Sequence, residues 1–104
     1  TISLKSSKEK LKHLAFYDSL TALPNRRLFD DRLNQSIELS ERKKFHLAVV
    51  FLDLDNFKPV NDMYGHTVGD HLLVEVAKRL ENTVRKVDTV ARFGGDEFII
   101  LLNE

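Results

Sequence analysis

The sequence predicts an α/β (α+β) fold, a central mixed β-sheet flanked by helices, on three observations. Short apolar runs at 47–52 and 98–102 have the length and composition of strands. Two stretches, around 28–37 and 73–84, carry apolar residues at helical spacing on one face. Gly94 and Gly95 separate two strand-like runs where positive φ costs least, which predicts a tight hairpin.

From the start of the chain, residues 1–14 are polar and lysine-rich, with Leu4, Leu11 and Leu14 spaced as a narrow heptad seam. They are expected to form a connector helix, as a short coiled coil or as a solvated helix. Asn25 is placed to N-cap a second helix whose Leu28, Phe29, Leu33 and Ile37 form one stripe, ending near 41–44. Phe45 to Leu54 reads as a central strand, continuously apolar because both sheet faces are expected to be covered. Pro59, Gly65 and Gly69 predict a short helical turn and a loop over 56–69. Thr67 and Asp70 resemble a capping box opening a helix with Leu73, Val76, Ala77, Leu80 and Val84 inward. Thr89–Phe93 and Phe98–Leu102 then form the hairpin.

The 104 residues suit one core, and 42% hydrophobic against 31% charged is a globular balance. Sixteen basic and sixteen acidic residues cancel, so no overall field draws the chain to nucleic acid or to an anionic membrane surface. The apolar runs are far shorter than a membrane span. The absence of cysteine excludes disulfides and thiolate metal sites and fits a cytoplasmic setting. The chain opens at Thr1 without an initiator methionine and stops just after an apolar run, which predicts a piece of a longer polypeptide.

Two acidic pairs carry the chemistry. Asp53 and Asp55 follow the first strand, at the carboxyl end where open α/β sheets place ligands, and alternation predicts that both point to one face. Asp96 and Glu97 follow the Gly-Gly turn, where backbone can approach a phosphate without Cβ obstruction. Magnesium takes hard oxygen ligands, and one or two carboxylates suffice. If the hairpin pairs beside the Phe45 strand, Asp53 and Asp96 converge on one metal. Each motif alone also has a plainer reading as a turn or a cap. Tyr17, Phe29, Phe51 and Phe57 read as core or pocket walls, and no histidine is assigned chemistry.

Phe93-Gly94-Gly95-Asp96-Glu97-Phe98 contains the signature of the GGDEF domain, the catalytic domain of diguanylate cyclases. The stretch from Asp18 to Arg27 resembles that family's opening motif, and the stretch from Asp53 to Asp62 resembles its nucleotide-binding segment. Tyr64-Gly65-His66 and Gly69-Asp70 follow at the family's spacing, so the resemblance runs from about residue 14 to 104. It implies a nucleotidyl-cyclase-like fold in which 15–104 is a partial GGDEF domain whose C-terminal part is missing.

The resemblance implies condensation of two GTP molecules into cyclic di-GMP and pyrophosphate. Asp53, the Leu54 carbonyl, Asp96 and Glu97 would hold Mg2+ or Mn2+, with Asp53, Asp96 and Glu97 as the catalytic set. Glu97 is associated with a second metal or with activating the attacking hydroxyl. Lys58 and backbone N–H groups from Asn56 onward would hold phosphates, beside Phe57 and the glycines Gly94 and Gly95. Asn61 and Asp70 would read the guanine edge, although Asp70 also suits its own helix terminus electrostatically, by roughly 0.3–1 kcal/mol. Arg85 and Asp88 stand at the spacing of the family's Arg-x-x-Asp site, where cyclic di-GMP binds as inhibitor; the plainer reading is a surface pair.

Since one domain supplies one GTP, turnover is expected in a homodimer, under an N-terminal sensory domain acting through the first helix. No nucleic-acid partner and no direct membrane contact are expected, in the bacterial cytoplasm or the cytoplasmic part of a larger membrane-anchored protein. The family continues past the hairpin with further helix, strand and basic residues, so a chain ending at Glu104 is expected to lack turnover. The competing readings are an inactive GTP or cyclic di-GMP receptor and a dimerisation module with no ligand.

Overall fold

A computed structural model describes the backbone of residues 2–104 and the side chains from residue 7 onward. The elements are α1 (Ile2–Phe16), α2 (Arg26–Lys43), β1 (Leu47–Asp53), α3 (Phe57–Tyr64), α4 (His66–Thr83), β2 (Thr89–Gly94) and β3 (Glu97–Asn103). The side chain of Leu4, part of the expected seam, lies outside the described residues. Leu11 and Leu14 are exposed.

The sheet order is β1-β3-β2, and β3 runs antiparallel to both neighbours. β1 and β2 therefore run in one direction, with α3 and α4 joining them and the hairpin strand inserted between. Every pairing is antiparallel, a narrower arrangement than the mixed sheet expected from sequence. The central strand is β3, and β1 is at an edge.

Alternation along β3 builds two cores. Phe98 and Ile100 pack with Leu73 and Ala77 of α4, with Leu23 and with Val90. Ile99 and Leu101 pack with Phe29 of α2 and Ala91 on the other face. Phe98, Ile99 and Leu101 are at most 1% exposed, and burying each contributes roughly 1.5–3 kcal/mol.

The expectation that β1 is central and covered on both faces is corrected. Val50 and Leu52 pack on the α4 side, but Val49 is 40% and Phe51 75% exposed. The apolar run read as a doubly covered strand, yet α2 packs through Phe29 on β2 and β3 and leaves Val49 and Phe51 of β1 uncovered. Phe51 is thus neither core nor pocket wall. The α2 stripe likewise runs off the sheet at its end, leaving Ile37 39% exposed.

The helix signals held where chemistry was local. Asn25 accepts a hydrogen bond from the Leu28 N–H at 3.1 Å, and α2 closes on Lys44 in the left-handed region (φ 60°). The expected turn and loop over 56–69 are instead two helices separated by Gly65 alone. Pro59 sits in the first turn of α3, where its missing N–H costs nothing. Gly65, at φ 89°, caps one helix and opens the next, so Thr67 lies inside α4 and no side chain makes the expected capping box.

Candidate active site

β1 ends at Asp53, whose Cα partner across the ladder is Glu97, the first residue of β3. The hairpin therefore does pair beside the Phe45 strand, and its turn lies at the carboxyl end of β1. Gly94 pairs with Glu97, leaving Gly95 and Asp96 as the connection, with a register shift between Arg92 and Gly94. Gly94 and Gly95 have φ of 133° and 49°. A Cβ at either would meet nothing within 4 Å, so backbone conformation, and not crowding, demands glycine here.

Directly opposed residues of a ladder share a face, so the Asp53 and Glu97 carboxylates stand side by side, and both are exposed. Like charges directly opposite destabilise a sheet unless a cation sits between them. Asp96, half-buried, adds a carboxylate from the adjacent turn. Among the described residues no three acidic or histidine side chains are grouped as a closed metal site would require. Magnesium needs none, since it takes one or two carboxylates and keeps several waters. The donor set fits a hard divalent cation. Asp55 departs from its expectation: it lies in a turn beyond the strand, so alternation does not place it with Asp53.

Three residues after β1, Asn56 adopts φ 63° and makes no side-chain cap to α3. The first N–H groups of α3 are therefore not met by a capping side chain, and such a helix start suits a phosphate. Lys58 is exposed at the same terminus, while Phe57 turns inward against the core. Asn61 is pressed against Gly69 of α4: a Cβ on Gly69 would lie 1.8 Å from Asn61 Oδ1. That Oδ1 is buried without a hydrogen-bond partner. Buried amide oxygens are rarely left so. Asp70 follows Gly69 and is exposed one turn into α4, beyond the N3 position expected for it.

Arg85 and Asp88 sit at the opposite end of the sheet, roughly 20 Å away along β3 at about 3.4 Å per residue. The Asp88 side chain is 4% exposed, and its carboxylate accepts from Arg85 N–H at 3.0 Å and Asn103 N–H at 2.9 Å. Burial pushes its pKa up, but these backbone bonds and the Arg85 charge outweigh burial and hold it below the ordinary aspartate value. The Arg85 side chain is 64% exposed, with Nε 3.6 Å from Asp88. Asp88 is thus consumed in shaping the turn, while the Arg85 guanidinium, though mostly exposed, also donates through Nη2 to the Asn103 carbonyl.

The sequence matches the family described as diguanylate cyclase, GGDEF domain, over residues 15–104. The chain belongs to the GGDEF family. It is 54% identical over 100 residues to the bifunctional diguanylate cyclase/cyclic di-GMP phosphodiesterase MucR of Pseudomonas aeruginosa, covering 96% of this chain and 15% of that protein. It is 46% identical over 99 residues to the diguanylate cyclase TpbB of Pseudomonas aeruginosa, covering 95% of this chain and 23% of that one. The coiled coil and GGDEF domain of DgcB from Caulobacter crescentus, solved in complex with c-di-GMP, superposes with a TM-score of 0.88 at 32% identity. That match covers 97% of this chain and 53% of the solved one. The chain thus spans under a quarter of the length of these two curated relatives. Among the described residues no helix is long and apolar enough to cross a membrane.

Within this GGDEF fold, sequence reasoning missed one residue of β2 that holds the turn. Arg92, 12% exposed, pairs with Asp18, 16% exposed, through Nη1 at 3.0 Å to each carboxylate oxygen. Its Nε and Nη2 donate to the Gly95 carbonyl at 3.0 and 2.8 Å. Asp18 also accepts from the Thr21 N–H and hydroxyl, at 2.9 and 2.8 Å. Burial raises the Asp18 pKa, but the Thr21 bonds and Arg92 more than reverse it. An arginine two residues before the Gly-Gly turn, inside an apolar strand, was the available signal, because arginines are seldom buried unless paired.

Proposed function

We propose that this chain contributes to a domain that condenses two GTP molecules into cyclic di-GMP and releases pyrophosphate. The observation that carries the reading is the juxtaposition of Asp53 and Glu97 across one rung of the sheet, next to Asp96 and to the uncapped start of α3. Asp53, the Leu54 carbonyl, Asp96 and Glu97 are the residues that would hold Mg2+ or Mn2+. The bound cation would lower the pKa of the attacking 3′-hydroxyl and offset charge on the departing oxygens.

The chain's own residues do the rest. Lys58 and the first N–H groups of α3 bind the β and γ phosphates, and Gly94 and Gly95 let the turn backbone approach them closely. Asn61, its Oδ1 unpartnered, and the exposed Asp70 accept from guanine N1–H and the exocyclic amine, which adenine does not present. The 3′-hydroxyl of one GTP attacks the α-phosphorus of the other, so two such domains face each other as a homodimer, and an upstream sensory domain controls that encounter. At the far end Arg85 grips cyclic di-GMP as inhibitor, and Asp88 holds the turn that presents it. The bare edge of β1 is where the further strand implied by the family would pair.

The test is product analysis by mass spectrometry on the full-length protein with GTP and Mg2+. Cyclic di-GMP is expected, ATP is expected to be rejected by about 10⁴-fold, and ITP to be weakened less. A folded, dimeric full-length protein that yields no product would overturn the reading. Comparable use of ATP would overturn the roles of Asn61 and Asp70.

A further inference from the structure

We propose that Arg92, held by Asp18, is a positioning residue for this reaction: it fixes the Gly95 carbonyl and with it the turn that presents Asp96 and Glu97. The inference rests on the function proposed above. Two adjacent glycines at positive φ give the turn the greatest backbone freedom of any dipeptide. Left alone, the turn would present its carboxylates in many directions. The Gly95 carbonyl belongs to the peptide plane that leads into Asp96, so holding that oxygen fixes where the Asp96 Cα stands. Arg92 holds it with two donors of one rigid fork, at 3.0 and 2.8 Å.

The fork is itself held. Asp18 occupies Nη1 through both oxygens and is locked in turn by the Thr21 N–H and hydroxyl. Arg92 is therefore committed to protein partners and is not a substrate contact. A largely buried ion pair gains little stability after its desolvation, so stability alone explains the arrangement poorly.

Asp18 also stands two residues past Phe16, the end of α1. The segment after α1 is tied to the helix by Asn25, whose Nδ2 donates to the Ala15 carbonyl and whose N–H donates to the Phe16 carbonyl, at 3.0 and 2.9 Å. It is tied to β2 by the Arg92 N–H, which donates to the Pro24 carbonyl at 3.0 Å. A shift at the end of α1 therefore reaches Arg92 through its side chain and through its backbone.

The test compares Arg92→Lys and Asp18→Asn with the wild type in the full-length protein. Lysine keeps a charge for Asp18 but cannot reach both Asp18 and the Gly95 carbonyl as a fork, and asparagine can still accept from Thr21. Among folded variants, kcat for cyclic di-GMP synthesis is expected to fall about 10- to 100-fold while KM for GTP stays within about threefold. Amide hydrogen exchange at 94–97 is expected to rise about tenfold, with 98–102 unchanged. If either kcat or exchange at the turn stays at the wild-type value in folded Arg92→Lys, the proposal is overturned. A wild type that makes no product defeats the proposed function instead, and the exchange readout then decides the role of Arg92 alone.

Discussion

At the Asn103 end of β3 the protein consumes its acidic side chain: Asp88 is 4% exposed and bound by two backbone N–H groups. At the Glu97 end, Asp53 and Glu97 oppose each other in solvent, beside a turn whose backbone is held by Arg92. The first arrangement satisfies a carboxylate and gains structure from it. The second fixes the backbone beneath the carboxylates and leaves their charge unspent. Burial and hydrogen bonding thus separate carboxylates that build the fold from carboxylates available to a ligand, a distinction invisible in residue type.

The largest effect that tests this contrast is Asp96→Asn. It is expected to lower cyclic di-GMP synthesis by the full-length protein by about 10²-fold or more, judged by the loss of one group stabilising transition-state charge. The change in stability is expected to stay within about 0.5 kcal/mol. A large fall in melting temperature would instead assign Asp96 to the fold.

Asp88→Ala should behave in the opposite sense. Orphaning the Arg85 and Asn103 N–H groups is expected to cost about 1–3 kcal/mol in urea unfolding. Because the folded pKa of Asp88 is depressed, its contribution is complete above the ordinary aspartate value of about 3.9. It is lost as pH falls through the lower folded value. Stability measured from pH 5 to pH 2 should therefore decline less steeply in the variant than in the wild type.

Gly69→Ala probes the nucleotide end without touching a carboxylate. The new Cβ displaces Asn61, and KM for GTP is expected to rise about tenfold, the equivalent of one hydrogen bond. Stability should change little, since the gain in helix propensity of about 1 kcal/mol offsets the crowding. An unchanged KM would detach Asn61 from the base.

The smallest effect is the most pointed. In metal-free protein, Asp53→Asn is expected to raise stability by about 0.2–1 kcal/mol by removing the repulsion across the rung, and to abolish stabilisation by added Mg2+ or Mn2+. Destabilisation in the absence of metal would show that Asp53 is engaged by the fold.

Local signals were legible. The Asn25 cap, the inward face of α4 and the Gly-Gly hairpin all depend on contacts within a few residues, and each stands where the residues placed it. Legibility failed for β1, where an apolar run predicted cover that only neighbouring elements could supply. It failed again at Thr67 and Asp70, because Gly65 serves two helices at once and leaves no room for the expected box.

By itself the sequence determined which residue types surround the turn, the family to which they belong, and which acidic residues are proposed to bear the chemistry. The tertiary structure alone decided that Asp53 faces Glu97, that Asp88 is spent on Asn103, and that Arg92 binds Asp18 across 74 positions of chain. The reason is physical. Propensity, capping and turn geometry act over a few residues, whereas the register of a strand and the partner of a buried charge are set by which distant segments share one core.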